Sequence, residues 1–122
     1  MLTSEALYMA RVLADKHGLA SWNIVATHTE IESLDFIEGS DGTMTPRVVQ
    51  VIARCFRLGK LIILSGPVVQ RTSVVGVREI VLHEVAHALT DGDHNEAWQA
   101  MARRIGCTGN TQIQLEFYQE VA

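Results

Sequence analysis

The chain of 122 residues contains one run whose residue types and spacing suit metal chemistry, His83-Glu84-Val85-Ala86-His87. On a helix, a spacing of four sets both imidazoles on one face about a turn apart, where they can reach a single ion. Glu84, next to His83, can then reach a water bound on that ion. A catalytic zinc takes three protein ligands and leaves one position open for water, and His94 is the nearest nitrogen donor after the motif. Ala88 to Asp93 separate it from His87, with Gly92 allowing a sharp return. Asp93 and Glu96 are rival third ligands, and a glutamate from a later segment would have to be Glu116 or Glu120. Imidazole donors favour zinc over magnesium or calcium, which prefer oxygen.

These donors need a rigid carrier. Val74 to Leu89 has apolar residues at Val74, Val77, Val81, Val85 and Ala88, a stripe of helical period with Thr72 or Ser73 upstream as cap. A second short helix is predicted for Glu96 to Ile105, stopped by Gly106, and an amphipathic N-terminal helix runs from Thr3 to His17, capped by Thr3 or Ser4 and ended by Gly18. Trp22, Ile24 and Ala26 alternate with polar and smaller neighbours, as in a strand. Glu38 to Pro46 is turn-rich and reads as a surface loop. Thr45-Pro46 could open a helix with Arg47, Gln50, Arg54 and Arg57 on its polar face. The β-branched run Val48, Val49, Val51 and Ile52 favours a hairpin instead, and Lys60 to Ser65 is a strand on either reading. Ile113 to Tyr118 forms a tail with no clear pattern.

Composition sets the class. With 48% hydrophobic and 20% charged residues, the chain is expected to fold as one soluble domain over residues 1–122, with a core that needs no disulfides. No apolar stretch approaches a membrane span, and no signal segment follows Met1, so a cytoplasmic location is expected. Cys55 and Cys107 are read as reduced, buried thiols, too few for a zinc ribbon. Charge is segregated: residues 46–78 hold six basic side chains and no acid, whereas 1–45 and 79–122 each carry a net charge of −5. That stretch is either a solvated, positively guarded sheet face or a path for an acidic partner.

The interval between His87 and His94 holds six residues where the metzincin pattern has five, so that pattern is excluded. The run His83 to Leu89, then His94, then Trp98 four residues later, and Ala102-Arg-Arg-Ile-Gly-Cys107, resembles the SprT-like (Spartan-type) zinc metallopeptidase domain, especially its short phage-encoded form. Trp22 before a strand and Leu64-Ser65 ending another are similar to features of the same domain. The resemblance covers about Trp22 to Cys107 and departs at Asn95, where glycine is frequent. It implies an α+β fold: a small antiparallel sheet of about three strands beside the motif helix, with an N-terminal helix and a short helix after the third histidine. It also implies one zinc per chain on His83, His87 and His94, with Glu84 as the catalytic carboxylate, and, for a phage-encoded protein, a place in the host cytoplasm.

The expected function is therefore hydrolysis of peptide bonds in a protein or peptide substrate, with Glu84 as general base. The substrate is expected to lie along a sheet edge, most simply the strand Lys60 to Ser65. Tyr118, Arg71 and His28 are candidate oxyanion partners, and Trp98 is expected to pack on the motif helix. Spartan-type relatives cleave proteins crosslinked to DNA, so DNA-associated proteins are one expected substrate class. A net charge of −4 and a pI near 5.7 predict weak DNA affinity for the domain itself. The competing expectation is a zinc-stabilised binding or regulatory module, associated with nucleic acid through residues 46–78. A purely structural zinc site has no use for Glu84.

Overall fold

Alanines at Ala6, Ala10 and Ala14 recur every four residues and are fully buried, so helix α1 (Thr3–Lys16) can lie close against its neighbours. The computed structural model describes residues 1–91 and 94–107 of the chain. The cap of α1 differs from the hydroxyl expected at Thr3 or Ser4. Leu2 is the cap residue, and its N–H donates to the Glu5 carboxylate at 3.3 Å. Gly18, in the left-handed region at φ 86°, ends the helix as expected. Arg11 then ties the turn down, donating to the carbonyls of Leu19 and Trp22.

Five strands follow: β1 (Asn23–Thr27), β2 (Ile31–Glu38), β3 (Met44–Val51), β4 (Ala53–Phe56) and β5 (Leu61–Ser65). The β-branched segment is strand, as its composition predicts, and β4 and β5 form the expected hairpin. The expected loop at 38–46 is shorter. It shrinks to residues 39–43, where Asp41 accepts from the Thr43 N–H and hydroxyl, and the chain on both sides zips into an eight-residue β2–β3 ribbon.

A three-stranded sheet has the order β1-β5-β4, with β5 antiparallel to β4 and parallel to β1. One pairing is thus parallel within the small sheet expected. The order also corrects the reading of Lys60 to Ser65 as an edge: β5 is the central strand, and β4 is the edge nearest the motif helix. At the end of the β1–β5 pair the chain turns into α2 (Gly66–Gln70), with Ser65 as cap. A Cβ on Gly66 would fall 2.2 Å from the Thr27 carbonyl oxygen, so only glycine fits there.

Helix α3 (Val74–Leu89) carries the motif, capped by Ser73, whose hydroxyl accepts from the Gly76 N–H at 3.1 Å. It is gripped on two sides. Val77, Ile80, Val81 and Val85 join the α1 alanines and Ile62 and Leu64 of β5 in the main core. Leu82 and Ala86 meet Trp98, Ala102 and Cys107 in a second apolar cluster, which holds α4 (Glu96–Arg104). Between Gly76 and Ala86 only Arg78 is exposed.

Candidate metal centre

Because α3 is held on both sides, its polar residues have little freedom. His83 and Glu84 are buried, at 2% and 3% exposure, and His87 lies half-buried one turn later. His94 comes from the segment after α3. Its Nε2 lies 2.9 Å from Nε2 of His83 and 3.1 Å from Nε2 of His87, and the three ring nitrogens form one cluster. A tetrahedral ion with bonds of about 2.0–2.1 Å spaces nitrogen ligands about 3.3 Å apart, close to this arrangement. Three lone pairs aimed at one point repel unless a cation lies between them, so the donor set fits a metal ion.

Protonation favours the same use. Burial, and then the neighbouring His87 and His94 imidazoles, push His83 down to about 3, so it is a neutral donor across the working pH range. Burial pushes Glu84 up to about 8, with the Arg54 guanidinium pulling weakly the other way. A carboxyl that binds its proton this readily can both accept and return one near neutral pH.

The donors open into a cleft of about 450 Å³, walled on one side by His83, Glu84, His87 and His94 and on the other by β4. The SprT-like family profile matches residues 34–118, from β2 to beyond Cys107. The chain belongs to the SprT-like family. No curated protein and no solved structure matches it.

In this SprT-like domain Trp98 does what its position predicts. It is fully buried, its Nε1 donates to the His83 carbonyl at 3.3 Å, and its ring centroid lies 4.6–5.3 Å from all three imidazoles. Nδ1 of His83 is buried with no hydrogen-bond partner among the described residues, so packing against Trp98 is what sets its ring. Asn95 caps α4 by accepting from the Trp98 N–H at 2.9 Å.

Glu96 is exposed in the first turn of α4 and outside the donor cluster. Asp93, Glu116, Glu120 and Tyr118 lie outside the described residues. Two expected oxyanion partners are not at the cleft. Arg71 pairs with Glu30 at 2.8 Å, and His28 lines a separate pocket beside Gly66 and Pro67. The cations that do line the cleft are Arg54 and Arg57, from the basic stretch. The charge bias marked them, but only the chain path carries β4 past the motif.

Cys107 is buried as expected, with Sγ 3.1 Å from the Glu79 carboxylate. Cys55 is half-buried in the cleft wall. Its thiol is pushed up to about 12 by burial and then by Glu84, so it stays protonated and unreactive. Among the described residues no helix is long and apolar enough to cross a membrane.

Proposed function

We propose that this SprT-like domain is a zinc-dependent peptidase that cleaves extended polypeptide segments. The observation that carries the reading is the convergence of three imidazole nitrogens at one point of a cleft that also contains the buried Glu84 carboxyl. All-nitrogen donors select zinc over oxygen-seeking cations. A zinc ion held by His83, His87 and His94 supplies a Lewis acid that polarises a carbonyl and acidifies water.

The remaining work belongs to the chain. Glu84 takes the proton from the attacking water and returns it to the departing amine nitrogen, which lets the peptide bond break without releasing a strong base. Trp98 and Asn95 hold the third ligand and the α4 helix in place. The outer edge of β4 offers main-chain groups with which an extended substrate can pair, as peptide strands do at exposed sheet edges.

The reading is tested on protein purified without chelator. Metal analysis should find one zinc per chain, and an unstructured substrate such as casein should be cut by the loaded protein and spared after zinc is stripped. Stoichiometric zinc with no cleavage of any unfolded protein or peptide would favour the zinc-stabilised binding module instead.

A further inference from the structure

We propose that Arg54 makes the cleft selective for polypeptide segments that place an aspartate or glutamate opposite it, with an apolar residue two positions along facing Phe56. The inference rests on the peptidase reading and adds the substrate class.

Four observations carry it. Arg54 and Phe56 alternate with Ala53 and Cys55, so they share one face of β4; both are exposed and both line the cleft. The two cleft arginines are not equivalent. Arg57 donates to the Thr90 carbonyl at 2.8 Å and to the Asp91 carboxylate, which ties the β4–β5 turn to the end of α3. Arg54 has no hydrogen bond or ion pair among the described residues, which leaves its guanidinium donors available where a substrate must pass. Arg54 lines the same cleft as Glu84 and the three histidines, so the guanidinium stands beside the chemistry.

The fourth observation is the register. The Ser65 N–H donates to the Ile52 carbonyl at 2.8 Å, next to the Ala53–Leu64 pair. Hydrogen-bonding direction alternates along a strand, so Arg54 and Phe56 turn their main-chain groups towards β5, while Ala53 and Cys55 turn theirs to the outer edge. A peptide strand running antiparallel to β4 and bonded to Ala53 and Cys55 therefore sets the residue facing Arg54 in a non-hydrogen-bonded pair. Side chains approach most closely in such pairs, with Cα atoms about 4.5 Å apart. A lysine or arginine there meets like charge, an acid meets its counter-ion, and Phe56 offers apolar surface two residues on.

The test is a peptide series on the zinc-loaded protein, identical except for one position scanned along the sequence and filled with Glu, Gln or Lys. At one position kcat/KM should favour Glu over Lys by about tenfold at low salt, with Gln between and the contrast shrinking as salt rises. Arg54→Gln should level the series and Arg54→Glu should invert it, both with unchanged melting temperature. Affinity of the Glu and Lys peptides for the metal-free protein, read by fluorescence anisotropy, should follow the same order. Cleavage of the Gln peptide with equal rates for Glu and Lys at every position, or a preference that survives Arg54→Glu, would overturn the selectivity and leave the peptidase reading standing. Cleavage of no peptide would remove both. A single-stranded DNA whose binding depends on Arg54, with peptide rates indifferent to it, would reassign the residue to nucleic acid.

Discussion

Replacing Glu84 by glutamine keeps size and shape and removes a buried group that can ionise. The Glu84 carboxyl is raised from its ordinary 4.5 to about 8, chiefly by burial. A pKa raised in the folded state means that folding takes up a proton, so this contribution to stability is complete below about pH 4.5 and is lost as pH rises towards 8. In metal-free protein the wild type should therefore lose ground to Glu84→Gln by up to about 1.4 kcal/mol per pH unit across that window, or about 3 kcal/mol by pH 7. Groups not coupled to Glu84 are common to both proteins and cancel in the difference, and Cys55, which is coupled to it, stays protonated below pH 8. Urea denaturation in chelator at pH 5, 6, 7 and 8 measures it directly, and the gap should widen steadily. A cation at the three histidines favours the ionised carboxyl, so adding zinc should narrow the gap. Peptide hydrolysis should fall at least a hundredfold, the usual contribution of a positioned general base. A pH-independent stability gap would refute the buried-acid argument. A variant with zinc bound and full activity would refute Glu84 as the base.

Trp98→Phe keeps an aromatic ring beside the imidazoles but removes the donor to the His83 carbonyl. It should cost about 1–3 kcal/mol in stability and about tenfold or more in zinc affinity; calorimetry showing neither would separate Trp98 from the site. Gly66→Ala puts a methyl against the Thr27 carbonyl and should force β1 and β5 apart at their ends, lowering stability by about 1–3 kcal/mol, so an unchanged melting temperature would count against the close approach. Zinc occupancy should fall as pH drops from 8 to 5, because protons compete with the ion for the imidazole lone pairs. His83, pushed down to about 3, keeps its lone pair throughout. Occupancy constant from pH 8 to 5, read with a chromophoric chelator, would contradict imidazole ligation.

The donor set was legible in the sequence because helical spacing is itself geometry: once Val74 to Leu89 is helix, His83 and His87 must share a face. Trp98 was legible for the same reason, one turn into the next helix. What periodicity does not carry is which elements are neighbours. Alternation shows the faces of Lys60 to Ser65 but not that β1 arrives on one side and β4 on the other, so the central strand read as an edge. Residues 31–38 went unassigned because Leu34, Phe36 and Ile37 break a simple alternation, and their strand exists through pairing with β3. The α1 cap misled because Glu5 reaches back to the Leu2 N–H, where hydroxyl preferences point to Thr3 or Ser4. Arg54 and Arg57 stood out as charge, yet their place in the cleft depends on the hairpin folding beside α3.

The same burial that makes the site expensive makes it sharp. Two imidazole ligands and a carboxyl on one helix lower the stability of the metal-free fold, since His83 must shed its proton and Glu84 must keep one to be buried. An exposed helix would escape that cost, but its side chains would wander among rotamers. Here the main core grips α3 through Val77, Ile80, Val81 and Val85, while the second cluster grips it through Leu82 and Ala86, so neither side can shift without opening an apolar contact. The second cluster has a further duty. Trp98 belongs to it and also meets all three imidazoles, so the apolar contact that docks α4 is the same contact that brings His94 up to the motif. Assembly of the donor set is in this way a consequence of packing, and an ion finds the three nitrogens already converged.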